Sequence, residues 1–447
     1  MAKLFFAPIH SSSLAAYRIF FGLLNAIGLV RFWYLGWIER CFIEPQYFFK
    51  YYGFSWVEVW PGQGIYIHFA LLILVCVFLS LGLFTRLMSF LFFIGFTYIE
   101  LLDQSNYLNH YYLISLLGFI NIFLPLSARW SLDNKFGFTQ FSEFVPAWTL
   151  GLLRAQIGTV YFFAGLAKVG SDWLLQAQPL NIWLTALTDM PVLGWAFAQT
   201  WSHFAMSWMG FLFDISIVFW LLNARTRPFA YAVVVVFHLA TYALFPIGMF
   251  PFIMMFSALV FFPPDWPMRW VGKSESDYFP SNIRFQFRPA IIVSVFFYMA
   301  VQWALPLRHH LYPGDELWSE EGMRFAWKVM IREKNSEAVF RVQDLDSNQI
   351  WYVSGSQYLM RHQELEMSNT PDMLLEFAHF LKAEFAKRGK RVAVFAETMT
   401  SFNGRRAQPL VDPNVDLSQE RDSLWPKKWI RPAPHEEPSL ISFQAPK

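Results

Sequence analysis

Long apolar runs that recur along the first 300 residues constrain the fold of this chain more than any other feature of its sequence. A helix needs about 20 apolar residues to cross the roughly 30 Å hydrocarbon core of a bilayer. Runs of suitable length begin near Leu14, Ile65, Leu87, Tyr112, Trp148, Phe204, Pro228, Ile247 and Ala290. We therefore predict a polytopic α-helical membrane protein with about nine transmembrane helices over residues 1–306.

The composition agrees with a membrane protein that carries a smaller soluble part. Of the 447 residues, 55% are hydrophobic and only 15% are charged, whereas soluble domains contain about 25% charged residues. A net charge of +2 is too small to indicate nucleic-acid binding. Two cysteines, Cys41 and Cys76, exclude a disulfide framework. We expect neither a nucleic-acid partner nor a metal site.

Charged residues concentrate in residues 307–447, which are expected to form an extracytoplasmic α/β domain with an irregular C-terminal tail. Apolar residues at helical spacing predict a helix over 371–387, with a proline at its first turn. Strands are predicted over 325–332, 338–343, 350–354 and 391–396.

Basic residues in the short loops predict the orientation of the chain, because cytoplasmic loops carry the excess of Lys and Arg. If the N-terminus is cytoplasmic, the inner loops hold Arg86, Arg129, Lys135, Arg225, Arg227, Arg269, Lys273, Arg284 and Arg288. Nine spans then place the C-terminal domain on the outer side. We expect a bacterial inner membrane with a periplasmic domain, although an endoplasmic reticulum membrane would give the same pattern.

One lysine at the end of the fifth apolar run is the first candidate for a catalytic group. Lys168 follows an apolar segment and lies close to the expected hydrocarbon edge. A lysine there needs a protein-lined cavity, a partner or a neutral form. Because burial disfavours the charged amine, a desolvated Lys168 can act as a base near neutral pH.

Other polar residues fall within or beside the apolar runs. His110 begins the fourth run, and in the expected orientation it lies at the same outer edge as Lys168, which favours a functional role for both. Packing explains His238 as well as a pocket does. For Arg154 and Asp214, a structural ion pair or snorkelling is the better explanation.

The order of several sequence blocks resembles the vitamin K-dependent γ-glutamyl carboxylases and their bacterial homologues, which contain a so-called horizontally transferred transmembrane (HTTM) domain. The blocks are 13–22 (SLAAYRIFFG), 101–110 (LLDQSNYLNH), 153–156 (LRAQ), 160–165 (VYFFAG), 168–173 (KVGSDW), 245–250 (FPIGMF) and 305–314 (LPLRHHLYPG). The resemblance covers about residues 10–430.

This resemblance implies an enzyme, a carbon–carbon lyase coupled to quinol epoxidation. It would oxidise vitamin K hydroquinone, or menaquinol, with O2 to the 2,3-epoxide. The oxidation would drive the γ-carboxylation of a glutamate with CO2. Lys168 would deprotonate the quinol at the membrane boundary, shielded from water. The implied partners are membrane lipid, the quinol and a glutamate-containing protein or peptide.

The resemblance also implies further site residues. His110, with Asn109 beside it, would orient the oxygenated quinol or the glutamate side chain. The residues expected to have supporting roles in the site are Tyr352, His238, Arg154, Gln156, Asp172 and Trp173. The apolar wall of the quinone pocket falls on Phe245, Met249 and Phe250, which ordinary packing explains equally well. The animal enzymes have a second lysine where this chain has Ala167. Without that neighbouring positive charge, desolvation would have to do more to favour the neutral form of the Lys168 amine.

Two other functions stay open. One is a quinol epoxidase or monooxygenase that acts without protein carboxylation. The other is a non-enzymatic membrane scaffold that binds a quinone or lipid. A scaffold would tolerate Lys168→Ala, whereas a change that fills the pocket, such as Gly165→Leu, would abolish its function.

Overall fold

Helices form the part of the chain before residue 308. The computed structural model describes residues 2–271 and 285–441; Lys273, Arg284 and the last six residues of the expected tail lie outside these ranges. The helices are α1 (Ala2–Phe5), α2 (Ser12–Tyr34), α3 (Gly64–Leu81), α4 (Thr85–Leu102), α5 (Asn109–Asn121), α6 (Leu132–Lys135), α7 (Ala147–Leu166), α8 (Ser171–Gln176), α9 (Leu180–Thr185), α10 (Gly194–Phe197), α11 (Thr200–Leu222), α12 (Arg227–Leu244), α13 (Phe250–Ser257), α14 (Trp266–Trp270) and α15 (Pro289–Leu307).

Six helices in the described ranges are long and apolar enough to cross a membrane, namely α2, α3, α4, α11, α12 and α15. Helix α7 and the segment 171–185, bent by 66°, make a seventh span if they are taken together. The expected count of nine is not confirmed. The runs after Tyr112 and Ile247 form the 13-residue helix α5 and the short apolar stretch Phe250–Phe261. At 1.5 Å per residue, each extends for about 20 Å, which is shorter than a bilayer core.

A two-stranded sheet joins the beginnings of two of these helices. Strand β1 (Pro8–His10) pairs antiparallel with β2 (Phe144–Pro146), and the two strands directly precede α2 and α7. Both helices therefore begin on the same side of the helical part. Lys168 follows the C-terminal end of α7 and therefore lies on the opposite side.

Glycines allow two pairs of helices to pack with their backbones in contact. A Cβ atom at Gly165 in α7 would lie 2.7 Å from the backbone nitrogen of Ile215 in α11. A Cβ atom at Gly22 in α2 would lie 2.6 Å from the carbonyl oxygen of Cys76 in α3. The contact at Gly165 matters for the site, because it fixes the distance between α7 and α11 close to Lys168.

The C-terminal part is an antiparallel sheet with helices packed on it. Its strands are β3 (Lys334–Asp344), β4 (Ile350–Ser354), β5 (Val392–Phe402) and β6 (Arg405–Gln408), in the spatial order β4-β3-β5-β6, and its helices are α16 (Glu316–Ser319), α17 (Arg361–Asn369) and α18 (Pro371–Lys387). Phe340 of the sheet and Phe377 and Leu381 of α18 are fully buried between the layers. The predicted helix over 371–387 and strand over 350–354 are confirmed at both ends, and β3 and β5 are longer than predicted.

The prediction of a strand over 325–332 is wrong. The backbone φ angle is positive at Phe325 (62°), Trp327 (58°) and Met330 (52°), and an extended strand does not tolerate such angles. The aromatic side chains that suggested a strand pack onto the helical part instead. The ring of Trp327, 1% exposed, stacks on Tyr112 with centroids 5.0 Å apart.

The helical part and the C-terminal part interlock through the connection between α2 and α3. Phe49 of this connection is fully buried in the core of the C-terminal part. The hydroxyl of Tyr47 donates to Oε1 of Glu376 at 3.0 Å, and the backbone nitrogen of Lys50 donates to the same oxygen at 2.8 Å. The two parts therefore share a core and a polar contact.

Candidate active site

Lys168 is buried and forms an ion pair across two helices. Its Nζ donates to Oδ2 of Asp214 at 2.7 Å and to the carbonyl oxygen of Ala164 at 3.1 Å. The two charged side chains are 7% and 9% exposed. The Nζ atom also lies 5.2 Å from the ring centroid of Trp173, which is within cation–π range.

This contact bears on two predictions made from the sequence. Lys168 was predicted to need a protein-lined cavity, a partner or a neutral form, and the structure gives it a carboxylate partner at hydrogen-bond distance. Asp214 was predicted to take part in a structural ion pair or to snorkel, and it forms an ion pair with the candidate base. Each of the two charged groups is therefore buried with its counter-ion rather than alone.

Lys168 lines a cavity of about 110 Å³, which we call the lysine chamber. Its aromatic walls are formed by Trp173, Trp183, Phe237, Phe245 and Phe250. Its polar groups are those of Lys168, Asp214, Tyr161, His238 and Thr241. The indole nitrogen of Trp173 donates to the carbonyl oxygen of Ser207 at 2.8 Å and so holds its ring beside the lysine.

His238 of α12 belongs to this chamber, so the pocket interpretation of this residue fits the structure better than simple packing. Its Nε2 atom lies 3.0 Å from the hydroxyl oxygen of Tyr161. The other ring nitrogen, Nδ1, is buried and has no hydrogen-bond partner among the described residues. A ligand in the chamber could satisfy that nitrogen.

His110 lies in a second cavity of about 350 Å³, which we call the histidine chamber. Met249 and Phe250 also line it. The polar side chains of its lining include those of Asn25, Arg31, Glu100, Asn106, Asn109, His110 and Tyr111. Asn109 is fixed by hydrogen bonds from the Tyr107 hydroxyl (3.1 Å) and to the carbonyl oxygen of Lys328 (3.3 Å).

The two chambers are neighbours with a shared wall. Ile247, Phe250, Val329 and Met330 line both of them. The ring centroid of Phe250 lies 5.9 Å from that of His110 and 5.9 Å from that of His238. Lys168 and His110 therefore serve adjoining chambers rather than one pocket.

Four of the expected supporting residues lie outside both chambers. Arg154 donates to the carbonyl oxygens of Val260 (2.7 Å) and Phe262 (2.9 Å), so the structural explanation of this arginine holds. Gln156 accepts a hydrogen bond of 2.7 Å from the hydroxyl of Tyr298 and ties α7 to α15.

Asp172 and Tyr352 are also separate from the chambers. The carboxylate of Asp172 accepts from both terminal nitrogens of Arg405 (2.7 and 2.6 Å) and from Nδ2 of Asn403 (2.9 Å). It therefore fixes the hairpin of β5 and β6 to the helical part. Tyr352 is 62% exposed on β4 and lines neither chamber.

Sequence reasoning missed several residues of the two chambers. Glu100 accepts a hydrogen bond from the hydroxyl of Ser115 and lines the histidine chamber. Tyr161 was part of a matching block but was not singled out. Val329 and Met330 come from the segment that was predicted to be a strand. An acidic residue within an apolar run was the available signal for Glu100.

The lysine chamber has the composition expected of a site for an aromatic ring that carries oxygen atoms. Flat aromatic walls match the faces of such a ring, and convergent polar groups can bind its oxygens. The buried, unpartnered Nδ1 of His238 supports this fit. In the ranges 2–271 and 285–441, no three His, Cys, Asp or Glu side chains are grouped so as to hold a metal ion.

Two family models match this chain, and together they cover most of its length. The HTTM domain matches residues 6–266, and the vitamin K-dependent gamma-carboxylase lumenal domain matches residues 287–436. No solved structure matches the chain. The HTTM match covers more than half of the chain. It includes all residues that line the two chambers except Val329 and Met330, which lie in the lumenal-domain match. The chain therefore belongs to the vitamin K-dependent γ-glutamyl carboxylase family.

Proposed function

We propose that this protein oxidises vitamin K hydroquinone or menaquinol with O2 to the 2,3-epoxide and couples the oxidation to γ-carboxylation of a protein glutamate with CO2. The observation that carries this proposal is the buried Lys168–Asp214 pair in an aromatic-walled chamber of a carboxylase-family chain. The quinol, when bound, supplies the electrons for O2 and the driving force for removal of the glutamate γ-hydrogen.

The pair acts as the base for the quinol hydroxyl. When the proton of the hydrogen bond between Nζ of Lys168 and Oδ2 of Asp214 lies on the carboxylate oxygen, the Lys168 amine has a free lone pair. In a site that excludes water, this neutral form can compete with the ion pair, because both charges are desolvated. The amine then takes the hydroxyl proton, and the resulting ammonium stabilises the negative charge left on the oxygen.

His238 and the aromatic walls position the quinol ring. Nδ1 of His238 is available for a hydrogen bond to a ring oxygen, and the contact with Tyr161 holds the imidazole in place. The aromatic walls exclude water, which would otherwise protonate the reactive species.

The glutamate side chain occupies the histidine chamber, on the other side of Phe250. Arg31, Asn106, Asn109 and His110 line this chamber, and their polar groups can bind a carboxylate. Because the two chambers share a wall, a glutamate in this chamber would lie next to a quinol in the lysine chamber. We also propose that the N-terminus is cytoplasmic and that the C-terminal part faces the periplasm of a bacterial inner membrane. The distribution of basic residues among the loops supports this orientation.

Epoxide formation by single-residue variants tests the role of the pair. Purified protein in nanodiscs would be given reduced vitamin K and O2, and the epoxide would be measured by chromatography. We expect Lys168→Ala to slow epoxide formation by about 10²–10⁴-fold, the usual contribution of a general base. Tyr352→Phe serves as the control and should behave as wild type. A Lys168→Ala variant that makes epoxide at the wild-type rate would refute the proposed base.

A further inference from the structure

Residues 436–441 form a strap that lies against two fully buried amide side chains, one just before α9 and one in its first turn. The backbone nitrogen of Ile441 donates to Oδ1 of Asn181 at 2.8 Å, and Nδ2 of Asn181 donates to the carbonyl oxygen of Ile441 at 3.0 Å. Nε2 of Gln178 donates to the carbonyl oxygen of Ser439 at 3.4 Å. The amide of Asn181 thus pairs with one residue of the strap in the manner of a neighbouring strand.

The hairpin of β5 and β6 binds the other side of the strap. The backbone nitrogen of Ser439 donates to the carbonyl oxygen of Gly404 at 3.1 Å, and Nε of Arg405 donates to the carbonyl oxygen of Glu436 at 2.8 Å. A Cβ atom at Gly404 would lie 3.0 Å from the Ser439 carbonyl oxygen. All five hydrogen bonds described here use main-chain atoms of the strap, so they do not depend on its sequence.

The amides are positioned for this contact by the helical part. Asn181 and Gln178 are both 0% exposed. Nδ2 of Asn181 also lies 2.9 Å from Nδ1 of His203, whose Nε2 lies 2.8 Å from the carbonyl oxygen of Phe197. A buried amide that loses its partner costs about 1–3 kcal/mol, so whatever replaces the strap must offer main-chain donors and acceptors.

The strap itself contributes little apolar contact. Leu440 and Ile441 are 43% and 44% exposed, and within the strap only Pro438 is buried. With so little side-chain burial, the strap is held mainly by its backbone. A second polypeptide that presents the same backbone pattern can compete with it.

The segment that carries the two amides also forms the wall of the lysine chamber. Trp173, Leu180 and Trp183 line that chamber, while Gln178 and Asn181, from the same short stretch, contact the strap. A peptide on this groove would therefore run along the outside of the wall that encloses Lys168.

We propose that the groove formed by Gln178, Asn181 and the Gly404 hairpin binds an extended polypeptide through its main chain, and that the C-terminal strap occupies it in cis. A glutamate-bearing peptide displaces the strap and is held beside the chambers. That this peptide is the substrate rests on the proposed function. That the groove binds a peptide main chain does not depend on it.

Binding of a labelled peptide tests the groove without turnover. The probe is a fluorescent peptide with the sequence of residues 434–441, and its anisotropy is measured with the full chain and with a chain that lacks residues 434–447. We expect the shortened chain to bind at least about tenfold more tightly, because the tethered strap competes at a high effective concentration. In the shortened chain, Asn181→Leu should remove this binding.

Two controls keep the test independent of misfolding and of side-chain recognition. Ser439→Pro in the full chain removes one strap donor without shortening the chain, and it should also increase binding of the probe. A probe scrambled at every position except its two prolines should bind as well as the original, whereas a probe with proline in place of Ser439 should not. Equal binding by the full chain, the shortened chain and Ser439→Pro would overturn the proposal.

Turnover separates this proposal from the proposed function. If the shortened chain has a lower KM for a glutamate peptide and an unchanged kcat, the groove binds substrate. If the probe binds as predicted but no peptide is carboxylated, the groove stands and the carboxylase function fails. If carboxylation occurs but its KM is unaffected by the strap and by Asn181→Leu, the groove is not the substrate site.

Discussion

Nζ of Lys168 lies 2.7 Å from Oδ2 of Asp214, and this hydrogen bond joins the end of α7 to the middle of α11. Neither side chain is more than 9% exposed. Each charge would be costly to bury without the other. The pair is thus both a structural contact between the helices and the candidate base for the quinol.

Removing one member of the pair should destabilise the protein more than removing both. Lys168→Met leaves the Asp214 carboxyl buried without its partner, which costs about 3–5 kcal/mol. The double variant Lys168→Met/Asp214→Leu should regain most of this loss, because no unpaired charge remains. Thermal unfolding in detergent would measure both. A double variant that is as unstable as the single variant would show that the ion pair is not the source of the effect.

A methyl group added at Gly165 should separate α7 from α11 and lengthen the Lys168–Asp214 contact. The new Cβ atom would lie 2.7 Å from the backbone nitrogen of Ile215, so we expect Gly165→Ala to lower both stability and epoxide formation. Gly151→Ala in the same helix is the matched control. A Cβ atom there has no neighbour within 4 Å, and alanine favours the helix by up to about 1 kcal/mol. Equal effects of the two changes would contradict the close-packing argument.

Loss of the Asp172–Arg405 contact should loosen the C-terminal part. Their side chains are 19% and 12% exposed, so Asp172→Asn should cost about 1.5–3 kcal/mol, as for other hydrogen bonds to charged groups. Hydrogen exchange of the β5–β6 hairpin should speed up. Asp346→Asn is the control, because its pair with Arg391 is 59% and 75% exposed and is worth at most about 1 kcal/mol. A control that loosens the hairpin as much as Asp172→Asn would argue against a docking role.

Stability should fall as the pH rises from about 4.5 to 7, because of Glu376. Burial raises the pKa of this carboxyl from 4.5 to about 7. The folded protein therefore keeps a proton that the unfolded chain has already released, and unfolding becomes easier with rising pH by up to about 3 kcal/mol. Glu376→Gln should flatten this part of the pH–stability profile, measured by thermal unfolding. An unchanged slope in the variant would assign the dependence to other groups.

Local signals in the sequence were sufficient for some elements. The helix over 371–387 was predicted at both ends because its apolar spacing and first-turn proline lie within the segment itself. The segment 325–332 was mistaken for a strand because its aromatic residues are typical of strands. Their burial against the helical part, and three positive φ angles, depend on residues far away in the chain.

Some residues of the candidate site were predictable from the sequence, but its geometry was not. Lys168 and His110 stood out as polar groups beside apolar runs, and both line a chamber. Asp214 is separated from Lys168 by 46 residues, and no spacing rule connects them. The two chambers are divided by Phe250 and Met330, which line both of them. Met330 follows the helical part in the chain, so its position could not be read from the apolar runs.

The coupling of the two half-reactions is the central claim, and one assay tests it directly. Purified wild-type protein and Lys168→Ala would receive reduced vitamin K, or a menaquinol, with O2, labelled bicarbonate and a glutamate-containing peptide. Epoxide and peptide-bound label would be measured in the same samples. We predict that wild type forms both products and that both are lost in the variant. Epoxide without label in wild type would contradict the coupling, and a wild type that forms no epoxide with either quinol would contradict the proposed chemistry as a whole.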